Sequence, residues 1–347
     1  MPTRSDFRSD TVTRPTMAMR EAMMAAELGD DGFGDDPTVT ELQRRAAEIL
    51  GKEASLFCPS GTMANQIAIC AHTNSGDEIL VEDKGHIAWF EGGGAAYNGR
   101  VQIRTYSLRN RRLSPPDAQS LLRLDIIDCP VLRLLCVENT LNMHGGVVWP
   151  QDNLDELARW AHERDIAVHL DGARLFNAAT ATGLSPARLS AGVDSIMVCL
   201  SKGLGAPIGS LLVGTEEFIH RARRIRKRLG GQMRQVGILA AAGLFALKTG
   251  IERLHEDHAL ASRIATDIIE RVPSMTLAQE QVETNIILLH PPNGCKPEEL
   301  VSHLEARGVL ITAFPGNLVR IVTHQDVGQR DADRLIESLL DFQTRRR

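Results

Sequence analysis

The chain has 347 residues, with 39 basic and 44 acidic side chains and a formal net charge of −5. That balance argues against nucleic acid or a polyanionic surface as the main partner, and no run approaches the roughly 18 apolar residues of a membrane span. The polar N-terminus carries no apolar signal core, and the six cysteines (Cys58, Cys70, Cys129, Cys136, Cys199, Cys295) are spread without metal-ligand or redox spacing. A cytoplasmic protein with no metal and no membrane or nucleic-acid partner is expected, long enough for one large or two ordinary domains.

In chain order, Arg8-Ser9-Asp10-Thr11-Val12-Thr13 holds too many hydrogen-bonding groups for a core strand and reads as a polar arm folded over a site. Gly29-Asp30-Asp31-Gly32-Phe33-Gly34-Asp35-Asp36-Pro37 is acidic and glycine-rich but lacks calcium-loop spacing, so a structured active-site or interface loop is expected. Strand-like runs follow at Ala54–Cys58, Glu78–Glu82, Arg100–Tyr106, Leu132–Glu138, Ala167–Asp171, Ser195–Leu200 and Ser210–Gly214. Helix-like runs at Thr38–Leu50, Met63–Ala71, Leu154–Glu163 and Glu216–Leu229 alternate with them. The basic run Arg221–Arg228 reads as a solvated helix face, and the Arg345–Arg347 tail as a disordered end.

Alternating strands and helices predict an α/β domain around a mostly parallel sheet, whose sites lie at strand carboxyl ends. The apolar, alanine-rich Val236–Leu247 predicts a buried or interface helix, and Ile251–Val272 continues helically. Strands at Asn285–His290, Val309–Thr312 and Leu318–Val322, with helices near Pro297–Arg307 and Arg330–Arg345, predict a smaller C-terminal α+β domain. The expected division is an arm and large domain over 1–250 and a small domain over 251–347.

Lys202 ends the run Ile196–Leu200, where Gly203 and Pro207 stop the strand. Most strand-end lysines point into water, but a desolvated amine is the nucleophile that Schiff-base chemistry needs. Asp171 ends another run. Alone it reads as a cap or turn residue; beside Lys202 it could hold a pyridine nitrogen, which is a better electron sink when protonated. Ser60-Gly61-Thr62 follows a strand and opens a helix, an ordinary N-cap or a phosphate cup. His86, just past Glu82, is a hydrogen-bonded structural residue or a ring that stacks on a cofactor and moves protons. Arg174, Arg234 and Arg320 stand in apolar or small-residue runs and are surface residues or anion clamps.

As an ordered set, these motifs resemble the low-specificity threonine aldolases, pyridoxal 5'-phosphate enzymes of the aspartate-aminotransferase fold. The resemblance runs almost end to end. It covers Arg8–Thr13, Gly29–Pro37, Ser60–Met63 and Glu138-Asn139-Thr140, then Asp171–Arg174, Leu200–Gly203, Leu229–Gly231, Met233–Gln235, Arg320 and Val322–His324. It implies that Lys202 forms a Schiff base with the cofactor, that Asp171 holds its ring nitrogen and that His86 stacks on the ring. Ser60, Gly61, Thr62, Arg174 and a neighbouring subunit's Arg234 would complete cofactor binding. Ser9, Arg174 and Arg320 would take the substrate carboxylate, with Phe90, Leu141 and His144 in the substrate-facing set. The implied reaction is cleavage of threonine, allo-threonine or related 3-hydroxy amino acids to glycine and an aldehyde by a homotetramer, a dimer of dimers with sites at subunit interfaces. A β-eliminating lyase, an aminotransferase or a catalytically retired relative would share the same scaffold.

One position departs from the family, which has His after Glu-Asn-Thr where this chain has Leu141. Leucine can neither take a proton nor hydrogen-bond a hydroxyl. His144 is the expected replacement, with His86 the other candidate base, and Leu141 is expected to favour an apolar β-substituent such as that of phenylserine. Gln232, where the family more often has Gly, is a smaller departure.

Overall fold

The computed structural model describes residues 4–345, so Arg346 and Arg347 of the basic tail lie outside the described residues, and Arg345 closes the last helix, Gln329–Arg345. The strands in chain order are β1 Ser5–Asp6, β2 Ala54–Cys58, β3 Glu78–Glu82, β4 Gln102–Tyr106, β5 Leu132–Glu138, β6 Ala167–Gly172, β7 Ser195–Cys199 and β8 Ser210–Gly214. They continue with β9 Thr276–Leu277, β10 Ile286–His290, β11 Val309–Leu310, β12 Thr312–Phe314 and β13 Leu318–Val322. Seven form one sheet in the order β2-β8-β7-β6-β5-β3-β4, in which only β8 runs against its neighbours.

The central strands are apolar because helices cover both faces of the sheet. Every residue of β3, β7 and β8 is buried, and a fully buried Leu, Ile or Val contributes about 1.5–3 kcal/mol over an exposed one. Helix ends follow local sequence signals. Asp36 caps Pro37–Leu50 through the Val39 amide, with Pro at the first position, and Gly51 ends that helix at φ 63°. The alanine-rich run is the buried helix Gly237–Phe245. It continues through a wider turn at Ala246–Gly250 into Ile251–Arg271, so the division expected after residue 250 falls inside a helical stretch.

The second sheet is antiparallel, in the order β12-β13-β10-β9, with its own apolar core. The strand expected over 309–312 is two strands, because its pairing partner changes at Ile311. β11 pairs in parallel with β1, and β12 joins β13. The N-terminal arm is thereby stitched to the C-terminal part of the chain.

Strand direction assembles the site. β2, β3, β5, β6 and β7 point the same way, so Pro59–Thr62, Asp83–His86, Glu138–Asn142, Asp171–Arg174 and Lys202 all leave one edge. Glu138 lies opposite Asp171, and Asp171 opposite Met197, five residues before Lys202.

Candidate active site

A cavity of about 470 Å³ opens at that edge. Ser9, Ser60, Gly61, Thr62, His86, Phe90, Asp171, Arg174, Lys202 and Arg320 all line it, with Thr11, Glu138, Thr140 and Asn142. Ten positions singled out in sequence thus meet at one place, drawn from six separated segments.

Ser60 is the N-cap of helix Gly61–His72, accepting from the Met63 amide, which leaves the Gly61 and Thr62 amides without acceptors inside the helix. A Cβ at Gly61 would stand 2.9 Å from Cys199 Sγ and 3.2 Å from Met197 Sδ, so only glycine lets this helix start so close to β7. Such an N-terminus favours a phosphate.

Beneath the cavity, Asp171 is 2 % exposed. Its Oδ1 accepts from the Ala173 amide at 3.1 Å and its Oδ2 from Asn65 Nδ2 at 2.8 Å. Asn65 also donates to Glu91, and its Oδ1 meets His169 Nε2 at 3.0 Å. His169 Nδ1 meets Ser195 Oγ at 2.8 Å, which in turn meets His72 Nε2 at 2.7 Å. Burial pulls the histidines down, His72 to about 4 and His169 to about 3, so both are neutral at pH 7. With Asn65 donating to two carboxylates, its carbonyl must accept from His169 Nε2–H, which fixes the polarity of the whole chain of bonds.

The arginines form the opposite wall. Arg174 is buried and grips Asp10 with two bonds of 2.7 Å, from Nε and Nη2. Asn142 Oδ1 accepts from Arg320 Nη1 at 3.1 Å and from Arg174 Nη1 at 3.4 Å. Arg320 also donates to the Arg8 carbonyl at 3.2 Å and lies over the Phe314 ring, while its buried Nε has no partner. Burial first, and then the like charge of Arg174, push Arg320 down to about 10. An entering carboxylate would relieve both effects.

Glu138 Oε2 accepts from the His86 amide at 2.7 Å and Oε1 from the Asn142 amide at 2.9 Å, tying the two loops together. Burial and the neighbouring Asp171 raise its carboxyl to about 7, against the pull of those two bonds. Thr140 Oγ1, buried in the cavity wall, has no hydrogen-bond partner. The residues present fit pyridoxal phosphate: a helix N-terminus for the phosphate, a buried carboxylate for the ring nitrogen, a lysine on the wall and two buried polar atoms of lining residues, Thr140 Oγ1 and Arg320 Nε, without hydrogen-bond partners.

Three expected members are elsewhere. Leu141 is 1 % exposed, packs in the main core and does not line the cavity. Its backbone bridges to Val147, and the tight turn between them sends the side chain inward. His144 turns the other way, into a neighbouring cavity of about 970 Å³, with Nε2 3.1 Å from Glu82 Oε1. Neither lines the cavity that holds Lys202 and Asp171 in this arrangement. Leu141→His should cost about 1–3 kcal/mol by burying an unpaired imidazole. It should also leave the threonine to phenylserine ratio of kcat/KM unchanged. Urea denaturation and the two rate constants check this, and a ratio shifted toward threonine would contradict it.

Arg234 is also outside the cavity, on the surface and 3.1 Å from Asp30. The acidic loop acts as a brace: Asp31 pairs with Arg226 at 2.6 Å, both side chains 3 % exposed. Arg226 therefore departs from the expected solvated face, since it turns inward from the helix Glu216–Arg228 and donates to the Phe57 carbonyl.

The profile of the beta-eliminating lyase family matches residues 6–291. The low specificity L-threonine aldolase of Escherichia coli K12 is 45 % identical over 325 residues, 93 % of this chain and 95 % of that protein. The chain belongs to the beta-eliminating lyase family, in its low-specificity L-threonine aldolase branch. A probable low-specificity L-threonine aldolase 2 of Arabidopsis thaliana is 40 % identical, covering 95 % of each chain. The fold of these aldolases recurs in a Leishmania major threonine aldolase, with a TM-score of 0.83 at 18 % identity over 97 % of this chain and 99 % of that one.

Proposed function

We propose that this chain is a pyridoxal-phosphate aldolase that cleaves L-threonine, L-allo-threonine and related 3-hydroxy amino acids to glycine and an aldehyde. The observation that carries this reading is the convergence of Lys202, Asp171, His86 and the Ser60–Thr62 helix start with two carboxylate-ready arginines on one cavity.

Bound there, pyridoxal phosphate supplies an electron sink conjugated with the substrate nitrogen, which permits heterolysis of the Cα–Cβ bond. Lys202 would anchor the cofactor, the Gly61 and Thr62 amides its phosphate, and Asp171 the proton on its ring nitrogen. Arg174 and Arg320 would clamp the substrate carboxylate, which fixes rotation about the Cα–N bond and so selects which bond at Cα is broken. Ser9 adds a hydroxyl beside the clamp. His86 would take the β-hydroxyl proton, and Phe90, 44 % exposed at the mouth, offers an apolar surface to the departing aldehyde.

Arg234 would reach the phosphate of an adjoining subunit in a homo-oligomer with shared sites. Supporting an assembly, Phe33 on the neighbouring acidic loop is 79 % exposed and Met24 is 90 % exposed. A reducing cytoplasm suits the six free cysteines, and no helix among the described residues is long and apolar enough to cross a membrane.

Product analysis tests the reading. Incubation with threonine, allo-threonine or phenylserine should release glycine and the matching aldehyde in equal amounts. Keto acid with ammonia, or amino transfer to an added acceptor, would assign another reaction to the same scaffold.

A further inference from the structure

The β-hydroxyl proton needs an acceptor, and with Leu141 and His144 outside the cavity the burden falls on His86. What makes its ring fit for that task is a residue with no place in the motifs above. Glu91, five residues on, has a side chain with no exposed surface. Its Oε1 lies 3.0 Å from His86 Nδ1 and 2.7 Å from Asn65 Nδ2, and its Oε2 lies 2.6 Å from Gln66 Nε2. Three donors converge on a group that is acceptor-only when ionised. A carboxylate so placed holds the histidine proton on Nδ1. Nε2, the opposite nitrogen of a ring that lines the cavity, is then left with its lone pair.

Resting on the aldolase reading, we infer that Glu91 is the positioning residue of the reaction, holding His86 in the Nδ1–H form so that Nε2 accepts the substrate's hydroxyl proton. Asn65 extends the arrangement, because its single amide group donates to both Glu91 and Asp171. The group expected to hold the cofactor's ring and the group expected to move the proton therefore share one buried support.

The charges facing His86 are Glu91 on its own segment, Asp171 at the end of β6, Glu138 at the end of β5 and Lys202 beyond β7. Burial pulls the ring down and Lys202 adds to that pull, but Glu91 and Asp171 outweigh them, so its pKa is raised. Neutralising Glu91 removes part of the upward pull, and the His86 titration moves to lower pH.

Glu91→Gln in the holoenzyme separates charge from shape, since the amide can still accept from His86 and Asn65 while Gln66 turns to meet its NH2. The kcat for 3-hydroxy-amino-acid cleavage should fall about 10- to 100-fold, the low end of general-base effects, with KM within about threefold. The acidic limb of kcat/KM should move down by about one pH unit. The His86 ring titration, followed by NMR of histidine-labelled protein, should move with it. Glu91→Asp, which keeps the charge, should hold the ring titration near that of the unaltered protein. An unchanged limb and ring titration in Glu91→Gln would overturn the inference. So would a rate loss that tracks weakened cofactor affinity and a lowered Tm with no pH change. If the unaltered protein releases no glycine and aldehyde, the aldolase reading fails by itself, and the ring titration still decides whether Glu91 controls His86.

Discussion

Lys202→Ala is expected to abolish the visible absorbance of lysine-bound pyridoxal phosphate and to slow glycine release by ~10³-fold or more, about 4 kcal/mol of barrier. The side chain leaves the end of β7 on the cavity wall, within the ring of groups that fit the cofactor. Truncation removes the amine and leaves the rest of the site in place, because Lys202 contributes to the fold through its backbone: its carbonyl accepts from Thr13 Oγ1 and from the Gly205 amide. The variant should therefore fold and still bind the cofactor through the Gly61–Thr62 turn and Asp171. Absorbance titration with the cofactor checks this; a retained lysine-type band would refute the assignment of Lys202.

Asp10→Asn should be the most damaging change outside the residues expected to touch the cofactor. It leaves Arg174, buried at 6 % exposure, facing an amide in place of a carboxylate. Removing one partner of a buried pair costs about 3–5 kcal/mol, because the remaining charge stays desolvated. Burial pushes the Asp10 carboxyl up, but the charge and hydrogen bonds of Arg174, with Lys202 and Asn285 adding to them, hold it well below the ordinary carboxylate range. Since the folded state lowers this pKa, the contribution is present at all pH values above the ordinary carboxylate range and is lost only as pH falls through the lowered value. The variant should therefore be weaker by a similar amount at pH 5 and at pH 8, as read from urea midpoints. KM for the amino acid should rise at least about tenfold as Arg174 loses its fixed orientation. A stability change below about 1 kcal/mol would mean that Arg174 finds another acceptor.

The sheet and the edge where its site lies were legible because parallel strands buried on both faces must be apolar throughout, and strand ends then stand out where polar residues begin. Lys202, Asp171 and His86 all announce themselves in this way. The supporting groups did not. Asp10 and Arg174 lie 164 residues apart, and nothing local marks their pairing. Glu91 and Glu138 look like ordinary acids after a helical turn or a strand. Asn65 and Gln66 were visible in hindsight as two amides inside an otherwise small and apolar helix start, a placement that needs buried partners. Leu141 and His144 lie outside the cavity for a different reason. Sequence position relative to Glu138 set them near the site, but the turn that closes onto Val147 decides which way each side chain points.

The pairing of β1 with β11 has a consequence for how the molecule is made. Ser5 and Asp6 find their partners only at Val309 and Leu310, and between them runs almost the whole chain. During synthesis from the N-terminus the large sheet can be complete while Ser9 and Asp10 still lack the strand that seats them. Arg320 and the seat of the arm are therefore the last parts of the cavity to be made, and a ribosome-bound chain lacking its final segment carries Arg174 and Lys202 without Arg320 and without β11 to hold the arm.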